Sequence, residues 1–473
     1  MRKLIFFITG LLAITSCNEW LDVKPQNQRE AEDLFETQAG FEDALIACYI
    51  DLNSTDLFGK KLVVTDIEYL AQHWDFGTVS SESADLVKNF DYTSSYAENA
   101  FTAIYKKLYN VIAQANSVLD YLPEKGHVIQ DTAIRNIIEG EALAARAFCH
   151  MEVLRLFGQV PQDATVKVNL PYAKTVSIEA PEYYDFDQFV EQIFTDFNTA
   201  LSLFSEWDPA RTFGLSMLDS FNGNLSGDVF LNCRRFRFNY YAVKALMARL
   251  YLYLGQTDKA YDMAMQVIND KLIGELAAVG TTNKALPSEC LLALTNTNIK
   301  NNMSMFEADG HFLTQTHFND LFSGRTITTN NRAQNVWNPK DVSNGMQRIA
   351  RFLKYEQPEN ETTTEDMTLN KQVVPLIRLS EMYLIAIETA PDLETANALW
   401  TPYQEARNEI PVPLTAENLQ DEILMEYQRE FFGEGQMFYV YKRLKSKNMM
   451  WKTDREVSEQ DYIVPLPSTE KKV

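Results

Sequence analysis

Cysteine is scarce in this chain, with five in 473 residues. Cys17, Cys48, Cys149, Cys233 and Cys290 form no Cys-x-x-Cys pair, which removes cysteine-based zinc sites. Histidine also numbers five. His73, His127, His150, His311 and His317 show no His-Glu-x-x-His spacing, and the acids form no EF-hand loop. No metal or other cofactor is therefore expected, although a structural calcium ion stays open. Basic charge is short as well. Lys and Arg total 43 against 65 Asp and Glu, for a formal net charge of −22. Such a chain repels phosphate backbones and anionic headgroups, so no nucleic-acid partner is expected. Beyond the first residues, nothing approaches the ~20 uninterrupted apolar residues of a membrane-spanning helix. There is no Gly-x-Ser-x-Gly turn, phosphate-binding glycine loop or Cys-His signature.

What is present starts at the amino end. Arg2 and Lys3 precede an apolar run, Leu4 to Ile14, and Thr15-Ser16 leads into Cys17. This is the layout of an export signal, too short to span a bilayer. A cysteine at the cleavage point predicts a signal over residues 1–16 and an acylated Cys17 as the first mature residue. A plain secretory signal is the competing reading. At ~0.8 kcal/mol per buried methylene, two or three acyl chains hold a protein at a membrane. Removing Arg2 and Lys3 brings the mature charge to −22 − 2 = −24. Export permits disulfides, and four remaining thiols allow three complete pairings. The helical setting of Cys149, and of Cys48, favours buried free thiols instead.

Helical periodicity dominates. Phe101, Ile104, Tyr105, Leu108, Ile112, Ala115, Leu119 and Leu122 form an apolar stripe, which Pro123 is expected to end. A second stripe, from Ile134 to Leu156, stops at Gly158. Further helices are read at 186–204, opened by Asp185 or Asp187, at 240–254, at 379–390, at 393–408 and at 416–432. Another begins near Asp258. Glu141-Ala-Leu-Ala-Ala-Arg-Ala-Phe148 aligns with Lys244-Ala-Leu-Met-Ala-Arg-Leu-Tyr251, and 254–261 resembles the turn of a tetratricopeptide hairpin. Residues 205–238 and 270–372 are rich in Asn with Ser, Gly or Thr and lack sustained helical periodicity. Long insertions of this kind on a helical scaffold are where function concentrates.

Four motifs in order carry a resemblance. Cys17-Asn-Glu-Trp-Leu-Asp-Val-Lys-Pro25 opens the chain. Pro375-Leu-Ile-Arg378-Leu-Ser-Glu381 enters a late helix. Arg429-Glu-Phe-Phe-Gly-Glu-Gly435 follows, and Ile463-Val-Pro-Leu-Pro-Ser-Thr-Glu470 closes. Over essentially its whole length the chain resembles SusD/RagB-type outer-membrane nutrient-binding lipoproteins. It departs from them at Gln436-Met-Phe-Tyr-Val440, where the family shows a polar residue, Arg, Trp and Asp. That puts charge pairing there in doubt.

The resemblance implies a mainly α fold: tetratricopeptide-like hairpins packed against an irregular, loop-rich ligand-binding region. It implies an amino-terminal part over 17–269 and a carboxy-terminal part over 270–473, the latter loop-rich to 372, helical over 373–445 and closed by 446–473. It implies a non-catalytic lipoprotein on the outer membrane, facing outward. Its partner would be a SusC-like TonB-dependent barrel, and its ligand an oligosaccharide or, in the RagB-like branch, a peptide. A lipid-anchored glycosidase and a protein-binding tetratricopeptide adaptor are the alternatives. Glycosidases need two opposed carboxylates, and Glu139 and Glu141 fall inside a helix, where solvated or capping roles explain them better.

Sugar rings stack on flat apolar faces flanked by hydrogen-bonding groups. Trp74 and Trp337, each beside polar residues outside a helical stripe, are the first candidates, with Tyr92 and Tyr96 as a second face. For each, plugging a join between loop and helix is the competing role. Arg351 is a candidate hydrogen-bond donor, weighed against a structural ion pair.

Overall fold

The computed structural model describes residues 32–76, 82–177, 179–219, 225, 227–277, 279–281, 283–296, 299–302, 311–342, 348–356 and 373–470. The segment 1–16 and Cys17 lie outside the described residues.

Ten helices form the scaffold: α1 Gln38–Leu52, α2 Ser95–Lys125, α3 Thr132–Phe157, α4 Phe186–Trp207, α5 Tyr240–Tyr253, α6 Thr257–Ile268, α7 Leu379–Glu388, α8 Leu393–Ala406, α9 Leu419–Phe431 and α10 Met437–Leu444. Their starts obey local chemistry. Ser94, Asp131, Asn239 and Asp392 each accept a first-turn N–H, and Asp185 with Gln188 completes a capping box. From α1 to α8, each helix packs against the next along the chain, the arrangement of stacked helical hairpins. The small residues common to the two aligned segments are buried: Ala142, Ala144 and Ala145 in α3, Ala245 and Ala248 in α5. Gly140 shows how close the approach is, since a Cβ there would stand 2.7 Å from the Phe204 ring of α4. Pro123 does not end α2. It falls in the last turn, where one missing donor is tolerated, and the Gly126 N–H still reaches the Leu122 carbonyl. Periodicity did not reveal α10.

Among the described residues, the aperiodic stretch between α6 and α7 contributes five strands. A four-stranded antiparallel sheet, in the order β1-β5-β7-β6, joins Asp75–Phe76, His311–Thr314, Arg348–Phe352 and Trp337–Val342. Its register sets Phe312 opposite both Asp75 and Arg351, and Trp337 opposite Phe352. Two further pairs are β2 (Leu170–Pro171) with β3 (Tyr183–Tyr184), and β4 (Cys290–Thr295) with β8 (Val373–Arg378). Every residue of β8 is buried, so a continuous apolar run is what it needs. Cys48, Cys149, Cys233 and Cys290 are all buried and form no disulfide with one another, and burial pushes the Cys48 and Cys290 thiols up to about 12.

The late motifs are structural. Arg378, at the β8–α7 junction, donates to Glu430 (2.8 Å), Glu434 (2.8 Å) and Glu289 (3.2 Å). Arg407 bridges Glu289 and Glu430 from the other side, and Lys354 meets Glu434. Arg332 joins Glu409, Glu426 and Glu430, while Arg429 holds Glu426 and Arg325 holds Glu409 and Glu422. Six cations thus face six carboxylates, nearly all buried. This lattice ties the insertion to α8 and α9, and the Arg249–Glu381 pair ties α5 to α7. The departure at 436–440 costs little charge pairing. Gln436 accepts from Arg155 at 3.1 Å, and the Arg155 guanidinium lies 3.9 Å from the centre of the Tyr439 ring.

Glu141, weighed above as an acid on a hairpin, is fully buried. It accepts from Arg234, Arg237 and the Tyr49 hydroxyl. A solvated or capping role does not describe it, because two guanidiniums consume both of its oxygens.

Candidate functional site

Trp74 ends a tight turn with φ +73, and its indole donates to the Val64 carbonyl at 2.8 Å. Trp337 opens β6. The fold brings the two rings within 6.1 Å, in one cluster with Phe352 and Phe432. Each is only 1% exposed. Neither offers a face to a sugar, so the plugging role weighed in the sequence is the one they fill. Their burial supports the sheet from beneath.

The partly exposed groups sit on the rim of that cluster. Phe76 packs edge-on to His311 (4.9 Å), and the Tyr69 hydroxyl lies 2.6 Å from His311 Nε2. Lys88 donates to the Trp74 carbonyl at 2.7 Å and stands over the Phe76 ring at 5.3 Å. Trp451, held at φ +65, stacks on His317 with centroids 4.6 Å apart and planes 22° from parallel. The His317 side chain is 31% exposed and pairs with Asp75 at 2.8 Å. Asp75 also accepts the Thr314 N–H at 2.6 Å. Burial alone would raise the Asp75 carboxyl, but the hydrogen bonds from His317 and Thr314 hold it below its ordinary value. The indole Nε1 of Trp451 is buried with no hydrogen-bond partner. The result is an aromatic platform with a carboxylate, an imidazole and an ammonium around it.

A second feature adjoins β6. A small hollow open to solvent is lined in part by Thr281, Lys284, Asn331, Asn335, Arg332 and Arg407. Three of these come from the Asn-rich stretch 326–338. Burial lowers the Lys284 ammonium from its ordinary value. Arg332 and Arg407 belong to the charge lattice, and the side chains of Asn331, Asn335 and Lys284 complete the polar part of the wall.

The other expected residues fall around this face. Tyr96 is half-buried beside Tyr69 and Asp66. Tyr92 donates to the Asp461 carbonyl at 2.6 Å and packs on Phe101, bracing the closing segment. Arg351 pairs with Glu356 at 2.9 Å on β7, the structural ion pair weighed against a ligand role. Trp451 and His317 were missed. A signal existed for Trp451, a tryptophan in the polar run 445–455, under the criterion that picked out Trp74 and Trp337.

Comparison with known proteins agrees with this architecture. Residues 19–210 match a SusD-like family described as starch-binding and associating with the outer membrane. A SusD-like protein P2 of Formosa agariphila is 24% identical over 269 residues, 56% of this chain and 46% of that protein. The chain therefore aligns with about half the length of that curated relative. Among solved structures, a SusD superfamily protein of Bacteroides thetaiotaomicron superposes with a TM-score of 0.68 at 20% identity, covering 92% of this chain and 97% of the other. A SusD-like carbohydrate-binding protein of Bacteroides vulgatus gives 0.67 at 16% identity, covering 92% and 96%. A laminarin-binding SusD-like protein gives 0.63 at 17% identity, covering 92% and 97%. The fold is the SusD fold, and residues 19–210 carry the match to the SusD-like family.

Proposed function

We propose that this protein captures an oligosaccharide at the outer membrane, without cleaving it, and hands it to a TonB-dependent barrel while anchored through acylated Cys17. The observation that carries the binding role is the partly exposed Trp451–His317 stack, flanked by Asp75 and Lys88. An aromatic ring accepts the apolar face of a sugar, and the neighbouring charged groups bond its hydroxyls. The binding role also draws support from the family's description and from the carbohydrate- and laminarin-binding relatives. The amide-lined hollow beside β6 supplies further hydroxyl partners for a chain of several sugars. A non-catalytic role is supported by Glu141, whose carboxylate is engaged by guanidiniums.

The test is calorimetric titration of the purified protein with laminarin and other neutral oligosaccharides, alongside Trp451→Ala. We expect saturable binding to at least one glycan and a loss of about tenfold or more in the variant, with the helical circular dichroism unchanged. Uptake of peptides but of no glycan would overturn the ligand class. Unchanged affinity in the variant would remove the platform, and release of shortened sugars would overturn the non-catalytic role.

A further inference from the structure

The hollow beside β6 is set apart by its charge. Lys284, Arg332 and Arg407 are on its wall, and among the described residues no carboxylate is. The acids that balance the two guanidiniums are Glu409, Glu426 and Glu430 for Arg332, and Glu289 and Glu430 for Arg407. Lys284 stands outside that balanced lattice. Its ammonium makes no ion pair and no hydrogen bond with any described residue. The charges that act on it, Glu356 and Arg351, are paired with each other at 2.9 Å. Withdrawing an ammonium from water without a partner is costly, so a partner from outside the chain is what this position lacks.

Other donors on the wall are open as well. The side-chain amides of Asn331 and Asn335 hydrogen-bond to no described residue. Arg332 is 5% exposed, and its Nε is buried without a hydrogen-bond partner. Such groups are rare in native proteins, and each calls for an explanation. The backbone here is uncommon too. Arg332–Val336 forms a single π-helical turn, a feature frequent at functional sites. Leu286, also on the wall, is held at φ +51, in the left-handed region that disfavours a bulky side chain.

Size limits the occupant. The hollow has room for a group of carboxylate size, not for a sugar ring, and it opens to solvent. A carboxylate suits the donors, since its two oxygens accept from an ammonium and from amide N–H groups at once. We propose that this hollow takes the carboxylate of an acidic sugar, so that the preferred glycan carries uronic acid residues. The ring stays outside, and the carboxylate meets Lys284, Asn331 and Asn335. This rests on the reading of this face as glycan-binding and names the sugar class. The net charge of −22 does not oppose it, because exposed charges beyond about 8–10 Å are largely screened at physiological salt.

The experiment is ligand-observed NMR titration of the full chain with D-glucuronate, D-glucose and acetate, at one ionic strength held with sodium chloride. Glucuronate differs from glucose only in ending on a carboxylate. We expect glucuronate to bind about tenfold more tightly than glucose, and more tightly than acetate, which lacks the ring. Lys284→Met should abolish the preference over glucose and Lys284→Arg should keep it, with the helical circular dichroism unchanged in both. Trp451→Ala should also keep it. Equal binding of glucuronate and glucose, or binding of neither, would overturn the proposal. So would a preference that survives in Lys284→Met. Glucuronate and acetate binding alike would mean an adventitious ion only and would overturn the sugar assignment. A chain that takes up neutral oligosaccharides but shows no preference for glucuronate sinks this inference alone. A chain that binds no glycan, neutral or acidic, sinks the reading of the face with it.

Discussion

Individual residues divide here between those that hold the fold and those that face outward, and burial decides which. Trp337 was a ligand candidate in the sequence, and in the structure it is core. Trp337→Ala should lower stability by about 3–5 kcal/mol, measured by urea unfolding, because truncating a buried aromatic leaves a cavity. Trp451→Ala should cost far less stability while reducing ligand affinity. The reverse ranking in urea would show that the two roles have been exchanged. Glu426 gives a prediction in pH. Burial alone would raise its carboxyl, but Arg332, Arg429 and Arg325 hold it at about 2, against an ordinary value of 4.5. Between those values the unfolded chain binds a proton that the folded chain refuses. The stability this residue contributes is complete above 4.5 and is lost as the pH falls toward 2. Urea midpoints followed downward through this window should fall less steeply in Glu426→Gln than in the parent. Equal slopes would assign the acid sensitivity to other groups.

At the scale of elements, the late motifs act as joints. Gly435 has φ +70, and its N–H donates to the buried Glu68 carboxylate at 2.8 Å. A Cβ there would stand 2.0 Å from the Leu62 carbonyl oxygen. Gly435→Ala should therefore destabilise the protein by roughly 1–3 kcal/mol or more, through strain and clash together. A thermal midpoint equal to the parent would show that this turn can relax. Lys442 on α10 caps the end of α3, donating to the carbonyls of Arg155 (2.8 Å) and Gly158 (2.6 Å). Lys442→Met should strand those carbonyls, at about 1–3 kcal/mol by urea unfolding. An unchanged midpoint would show that water replaces the ammonium.

For the whole molecule, the proposed role requires that the protein be held at the membrane and meet a barrel. Cys17→Ser should move the protein from the membrane fraction to the soluble fraction after export. Continued membrane association of that variant would place the anchor elsewhere. Detergent extracts should yield a large barrel protein with the parent chain, and repeated failure to find one would count against delivery to a transporter. The acidic surface bears on both experiments, since like charge between copies opposes self-association.

The helices were legible in the sequence because period and cap chemistry are local: apolar stripes from Phe101 and Ile134, Asp185 before Phe186, Gly158 after Phe157. The dispensability of disulfides was legible too, since Cys149 lies on a helical stripe with no pairing signal. Strands β5, β6 and β7 were not legible, because their partners lie far apart in the chain and the intervening composition shows no period. The charge of each motif residue could be read directly, but not its partner. Arg378, Glu289 and Glu430 meet only after long loops close, and the pairing energy depends on burial that no local pattern reports. Tertiary structure alone turned Trp74 and Trp337 inward and left Trp451 and His317 at the rim, because whether a ring serves the core or a ligand is settled by what the rest of the chain lays over it.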